Sequence, residues 1–211
     1  MTRDIIETIE YKGMNINVYP DDYTQSPEEW GNEDVCFWNR EITVENKYIN
    51  RNIFGAYIKH EDFDEYKDEA KEVAKKYWIF GIDALIHSGI WLSMHNEGMR
   101  CKWDTSDYVG CIIVAKSEAR LQKKAEKIAR GILETWNDYL QGNVYSYTCE
   151  DTVTGNFFGG CSGFYGDYTK SGLIEYAHDD IETYIDNEMR KSRNDKIKEL
   201  RQQADDIEKT I

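Results

Sequence analysis

Polar and apolar positions alternate at the start of the chain. Over residues 8–20 (TIEYKGMNINVYP), Ile9, Tyr11, Met14, Ile16 and Val18 alternate with polar residues on either side of Lys12-Gly13. This predicts a hairpin whose turn glycine supplies a positive φ. Residues 21–35 carry six acids, one Pro and one Gly but no Lys or Arg, and read as a long surface loop leading into a short strand over 35–38. In 61–78 the apolar positions Phe63, Tyr66, Ala70, Val73, Ala74 and Tyr77 recur at steps of three and four. That spacing predicts an amphipathic helix, with acids in its first half and lysines in its last turns, as the helix dipole favours. Residues 79–95 read as two strands joined at Ser88-Gly89, and the nearly unbroken apolar run 109–115 (VGCIIVA) as a central strand covered on both faces.

Ser117 is expected to cap a helix that runs to about Leu140 and stops at Gly142, a C′ glycine. Residues 144–148 alternate again, 151–155 suit a turn, and 157–165 return antiparallel. From Gly172 onward the pattern is helical, as one long helix or two. Ile197, Leu200, Ala204, Ile207 and Ile211 hold a heptad spacing, whereas Ile174, Ala177, Ile181 and Tyr184 keep another register, so a break is expected near 190–194. The fold class predicted is α+β: a mainly antiparallel sheet packed by two amphipathic helices, plus a long C-terminal helix. The expected division is an α+β domain over 1–170 and a helical extension over 171–211.

Composition narrows the function. The 211 residues hold 40 Asp and Glu against 26 Lys and Arg, a net charge of −14, with an apolar share of only 40%. Twenty-eight aromatics (6 Trp, 15 Tyr, 7 Phe) and only 2 Pro point to a folded core rather than a solvating tail. No stretch has the roughly 18 uninterrupted apolar residues of a membrane helix, and the start of the chain lacks the apolar core of a signal peptide. Five scattered cysteines (Cys36, Cys101, Cys111, Cys149, Cys161), none in a CxxC pair, suit reduced thiols in a cytoplasm. So acidic a chain repels phosphate backbones, which disfavours autonomous DNA binding. Only residues 111–142 carry more bases (6) than acids (4), and the last 19 residues balance at five and five.

Candidate chemistry is sparse. The segment Gly159 to Gly166 (GGCSGFYG) fits neither GxGxxG, a P-loop nor a GxSxG elbow, and bulges in a strand account for its glycines. A thiol nucleophile can be drawn from Cys161, with His87 as base and Asp104 as its orienter. Trp103, Phe164 and Tyr165 would complete such a pocket. No metal is assigned: His87 and His95 lie across a predicted hairpin, and Asp62-Phe-Asp64 is an isolated DxD. No cofactor is assigned either. Two carboxylate-rich surfaces remain. The first is Asp21, Asp22, Glu28, Glu29, Glu33 and Asp34, with Tyr23 and Trp30 interleaved. The second is Glu175, Asp179, Asp180, Glu182, Asp186 and Glu188, with Tyr176 and Tyr184. Such surfaces keep a protein in solution; they also imitate the phosphates that a basic groove holds, with aromatic anchors beside them.

Several segments, in chain order, carry a resemblance: Pro27, Glu29 and Trp30; His87, Ser88 and Gly89; Cys101, Trp103, Asp104 and Gly110; and Cys161, Gly163, Phe164, Tyr165 and Gly166. Between about residues 9 and 166 the chain resembles a family of small acidic bacteriophage and mobile-element proteins. It departs from that pattern at Lys102, where the family has Pro, at Asp107-Tyr108, near its Gly-Gln, and at Ser162, where it has Trp. The resemblance implies a phage accessory protein in a bacterial cytoplasm and, by association, counter-defence.

The first expectation is therefore a stoichiometric inhibitor of a host defence nuclease or nucleic-acid complex, of anti-CRISPR or anti-restriction type. Its partner would be a protein or ribonucleoprotein with a basic groove, and its contact surface Asp21, Asp22, Tyr23, Glu28, Glu29, Trp30, Glu33 and Asp34. The alternative is a binding protein or enzyme for a small nucleotide signal, with its site near Gly159 to Gly166 and the pocket residues above. A phage assembly component is a third option. The apolar stripe of the last helix adds the expectation of a homodimer.

Overall fold

In a computed structural model, residues 4–30, 34–98, 101 and 103–208 are described. The chain is α+β, as its patterning predicts, but the strands form two antiparallel sheets rather than one. It divides into two compact units, Met1–Asp22 with Val144–Ile211, and Tyr23–Asn143. This division differs from the expected boundary near residue 170, because the two ends of the chain fold together around one sheet.

The first unit is built from β1 (Glu7–Tyr11), β2 (Met14–Pro20), β8 (Val144–Asp151) and β9 (Phe157–Tyr165), in the order β1-β2-β8-β9. Lys12 (φ 52°) and Gly13 (φ 77°) close the first hairpin, with the two positive φ values of a type I′ turn. The 36-residue helix α4 (Leu173–Glu208) lays Leu173, Ala177 and Ile181, all fully buried, against Ile16, Val18, Tyr147 and Cys149. Phenols pin the helix. Tyr147 donates to Asp180 at 2.8 Å, Tyr11 to Glu182 at 2.9 Å and Tyr184 to Asp151 at 3.3 Å.

No break occurs at 190–194. Arg190, Lys191, Ser192, Arg193 and Asn194 include neither Gly nor Pro, so the change of apolar register rotates the stripe around the helix without ending it. From Asp186 to Asp206 every residue is exposed, a helical stretch about 30 Å long at 1.5 Å per residue.

The second unit centres on β7 (Thr105–Ala115) in a sheet ordered β4-β3-β7-β5-β6, with β3 (Val35–Asn39), β4 (Ile42–Val44), β5 (Tyr77–Ile86) and β6 (Ile90–Met94). The continuous apolar run of β7 is explained by cover on both faces. Ile112 and Val114 pack with Ala125, Ala129, Leu133 and Trp136 of α3 (Gln122–Gln141), while Cys111 and Ile113 pack with Ile49 and with Phe54 of α1 (Arg51–Tyr57). Helix α1 has only seven residues, capped by the Asn50 side chain, which accepts from Asn52 N and Ile53 N. So short a segment, like the three-residue β4, gives no readable period.

Two predicted starts differ. The helix expected over 61–78 begins as a 3-10 segment, Glu61–Tyr66, becomes α2 only over Lys67–Lys76, and yields Tyr77 and Trp78 to β5. The cause lies at Phe63, whose ring packs so closely on Gly55 that a Cβ there would lie 2.0 Å from it. Ser117 does not cap α3. Trp78 Nε1 donates to the Ala119 carbonyl at 2.8 Å, Ala119 is fully buried, and the helix starts at Gln122. Its other end is as expected: Gly142 is left-handed (φ 72°), and Asn143 N bonds Asp138 O at 2.8 Å.

Candidate functional site

The acidic loop is divided between the units. Asp21 and Asp22 belong to the first, where Asp21 N extends the β2–β8 pairing by bonding Val144 O at 2.8 Å and Asp21 Oδ2 accepts from Gly163 N at 3.0 Å. Tyr23, Glu28, Glu29, Trp30 and Asp34 belong to the second. There Tyr23 is 79% exposed, and Glu28 and Glu29 are exposed on a 3-10 turn (Pro27–Trp30) anchored by buried Pro27. Asp34 is half-buried and its carbonyl accepts from Ile113 N at 2.7 Å. Glu33 lies outside the described residues.

The acids of α4 are arranged differently. Leu173, Ala177 and Ile181 define the buried stripe. Glu175, Asp179, Glu182 and Asp186, at i, i+4, i+7 and i+11, fall on the opposite side of a helix with 3.6 residues per turn. Glu175, Asp179 and Asp186 are exposed, and the row spans about 16 Å along the axis. Glu182 is ion-paired with Lys12; that bond, together with the Tyr11 hydroxyl, holds its carboxyl below the usual range. Tyr176, 61% exposed, flanks the row, whereas Tyr184 is stacked on Phe158 at 3.9 Å and serves packing.

The pocket residues are also split. In the second unit His87 Nδ1 lies 3.5 Å from Asp104 Oδ2 with most of the imidazole exposed. Cys101 Sγ donates to the same oxygen at 3.3 Å, and Trp103 is 84% exposed. Cys161, Phe164 and Tyr165 lie on β9 of the first unit. There Cys161 is exposed, and Phe164 packs on Tyr147 and Tyr176 at ring distances of 5.8 and 5.7 Å. The glycines of this segment have local reasons. A Cβ on Gly159 would meet Asp180 Oδ2 at 2.8 Å, one on Gly160 would meet Tyr147 O at 2.8 Å, and Gly163 has φ 83°. The strand shifts register twice against β8, as expected of a bulged strand.

One cluster was not read from the sequence as a unit. Asp83, only 3% exposed, sits where β5 shifts register against β7. Its carboxylate accepts from His95 Nδ1 at 2.9 and 3.1 Å, from Asn96 N at 3.1 Å and from Tyr108 N at 3.0 Å. A carboxylate only accepts, so Nδ1 carries a proton. The His95 ring stacks on Tyr108 at 3.9 Å, and Tyr108 is left-handed (φ 52°), a costly state for a bulky residue. Trp38 Nε1, donating to Tyr108 O at 2.7 Å, holds it there. Burial pushes the Asp83 carboxyl up, but the hydrogen bonds from His95, Tyr108 and Asn96 outweigh it and leave the pKa below the usual carboxylate range. The available signal was a single acid inside the apolar run of β5.

The remaining groups are quiet. Burial raises the Cys36 thiol to about 11 and the Cys149 thiol to about 12, and lifts Cys111 well above its ordinary value, so all three stay protonated and unreactive. On α3, Arg130 is held by Glu97 at 2.7 and 2.8 Å and by Glu126 at 2.8 Å. Among the described residues no group of three or more His, Cys, Asp or Glu is placed to hold a metal ion, and no helix is long and apolar enough to cross a membrane. The fold thus defines an α+β protein of two antiparallel sheets with a long C-terminal helix. No protein-family model matches the chain, and no curated protein or solved structure matches it.

Proposed function

We propose that this chain is a bacteriophage or mobile-element accessory protein of the bacterial cytoplasm. It acts as a stoichiometric inhibitor of a host defence nuclease or nucleic-acid complex, of anti-CRISPR or anti-restriction type. The observation that carries the reading is the exposed row Glu175, Asp179 and Asp186 on the side of α4 opposite the stripe that anchors the helix, with Glu182 among them already paired to Lys12. A rigid helix presents these carboxylates at fixed spacing, so a basic groove meets them with little ordering cost. Glu28 and Glu29 extend the acidic surface of the second unit. The first unit holds 19 acids against 10 bases and the second 21 against 16, so the stronger field belongs to the unit that carries the row.

The test is displacement of DNA from a purified CRISPR effector or restriction endonuclease. The chain should displace it stoichiometrically, more weakly as salt rises, and the variant E175Q/D179N/D186N should fail. Displacement by the variant equal to that of the parent removes the reading. The same proposal pairs two copies through the end of α4, where Ile197 and Leu200 are exposed on a nearly neutral segment. Sedimentation of the full chain against one ending at Arg190 decides that part: a dimer is expected only for the full chain.

A further inference from the structure

Each sheet leaves two edges, and an open edge presents unpaired N–H and C=O groups to any extended chain. Three of the four are guarded. In the second unit β4 has only three residues. Strand β6 is capped by α3: Asn137 Oδ1 accepts from Leu92 N at 2.7 Å, Asn137 Nδ2 donates to Leu92 O at 2.8 Å, and Gln141 Nε2 donates to Ile90 O at 2.6 Å. In the first unit β1 has only five residues, and its Glu7 is already taken by the Tyr168 hydroxyl at 2.6 Å. The fourth edge, β9, has nine residues without a single charge, and Gly160, Cys161 and Ser162 are exposed. Its two register shifts bracket a regular run, Gly159 to Cys161, paired with Cys149 to Tyr147. Small residues there let a second backbone approach closely.

We infer that β9 is a docking edge for an extended, positively charged segment of a protein partner, which adds as a fifth strand to this sheet. The charge comes from carboxylates along the strand. Glu150 stands opposite Phe157, Asp180 lies against Gly159, and Asp21 accepts from Gly163 N. Glu150 and Asp180 are hydrogen-bonded by the neutral Asn17 and Tyr147, so their negative charge is not cancelled. A second copy is disfavoured as occupant, since edge-to-edge pairing would bring together two units of 19 acids and 10 bases each. Backbone hydrogen bonds supply the affinity, and lysines on alternate positions supply the selection. This inference is independent of the α4 row.

The experiment uses the full chain and a blocked nine-residue peptide of alternating Lys and Thr. Two controls are the same peptide N-methylated on alternate amides and its Glu counterpart. Calorimetry and amide chemical shifts are the readouts. The Lys peptide should bind one-to-one and shift Gly160 and Ser162, and the Glu peptide should not bind. N-methylation, and separately the exposed variant Ser162→Lys, should each weaken binding about tenfold, the size of one or two lost inter-strand hydrogen bonds. A circular-dichroism melt of the variant checks that it is folded. The inference is overturned if the Lys peptide does not bind, if the N-methylated peptide binds equally well, or if the shifts fall away from β9. A dimer of the chain that Ser162→Lys dissolves overturns it too, by making a second copy the occupant.

Discussion

The two units use the same chemical group in opposite ways. In the second unit the Asp83 carboxylate is buried and accepts hydrogen bonds from one side chain and two backbone N–H groups. In the first, Glu175, Asp179 and Asp186 stand in solvent on α4. A buried carboxylate so placed cannot be removed cheaply, because its donors are left without partners. An exposed one contributes almost nothing to folding, which leaves it available to a partner. Sequence position alone does not separate the two cases; the apolar or polar setting of each acid does.

The largest effect expected is therefore at Asp83. Asp83→Ala removes the acceptor of the His95 Nδ1–H and of the Asn96 and Tyr108 N–H groups, and should cost at least about 3 kcal/mol in denaturant unfolding, since each buried donor deprived of its acceptor costs about 1–3 kcal/mol. A loss below about 1 kcal/mol, within the range of an ordinary surface change, would break the contrast. Next comes the packing under α4. Ile181→Ala removes a fully buried side chain and should cost about 3 kcal/mol. Ending the chain at Arg190 removes only exposed helix, so melting should fall only by the contribution of the dimer contact, and the difference should shrink as protein is diluted.

Acid titration sharpens the comparison. The folded Asp83 carboxyl lies below its unfolded value, so its stabilisation is complete above the unfolded carboxylate pKa of about 3.9 and is lost as pH falls through the lower folded value. Unfolding of the parent should steepen below about pH 4, while Asp83→Asn flattens that limb. An identical acid limb in the variant would assign the titration elsewhere. The smallest stability effect is expected from E175Q/D179N/D186N, which leaves the Glu182 bonds to Lys12 and Tyr11 in place, within about 0.5 kcal/mol of the parent.

What was legible follows the range of the interactions. The Lys12-Gly13 turn, the C′ Gly142 and the doubly covered run of β7 are dictated by neighbours in the chain, and each was read correctly. The start of α3 was not, because Ser117 is overruled by Trp78, which holds the Ala119 carbonyl from 41 residues away. The division into units was also hidden. It depends on β2 pairing with β8, as in Ile16 opposite Cys149, and no local pattern announces a partner so distant. Among site residues, the α4 acids were legible only as a run: the sequence groups Asp180 and Glu182 with Glu175, Asp179 and Asp186, whereas Asp180 is taken by Tyr147 and Glu182 by Lys12 and Tyr11. The grouping of Asp83 with His95 and Tyr108 could not be read, since it depends on a register shift between β5 and β7.

The central claim, that the exposed acids serve a partner while Asp83 serves the fold, is tested most directly by one measurement. This is the association rate of the full chain with a DNA-free CRISPR effector or restriction endonuclease at low salt, for the parent and for E175Q/D179N/D186N. Electrostatic steering predicts a rate about tenfold or more lower for the variant, converging with the parent as salt rises. Equal rates for both chains at low salt would contradict the account and leave the α4 row a solvated surface.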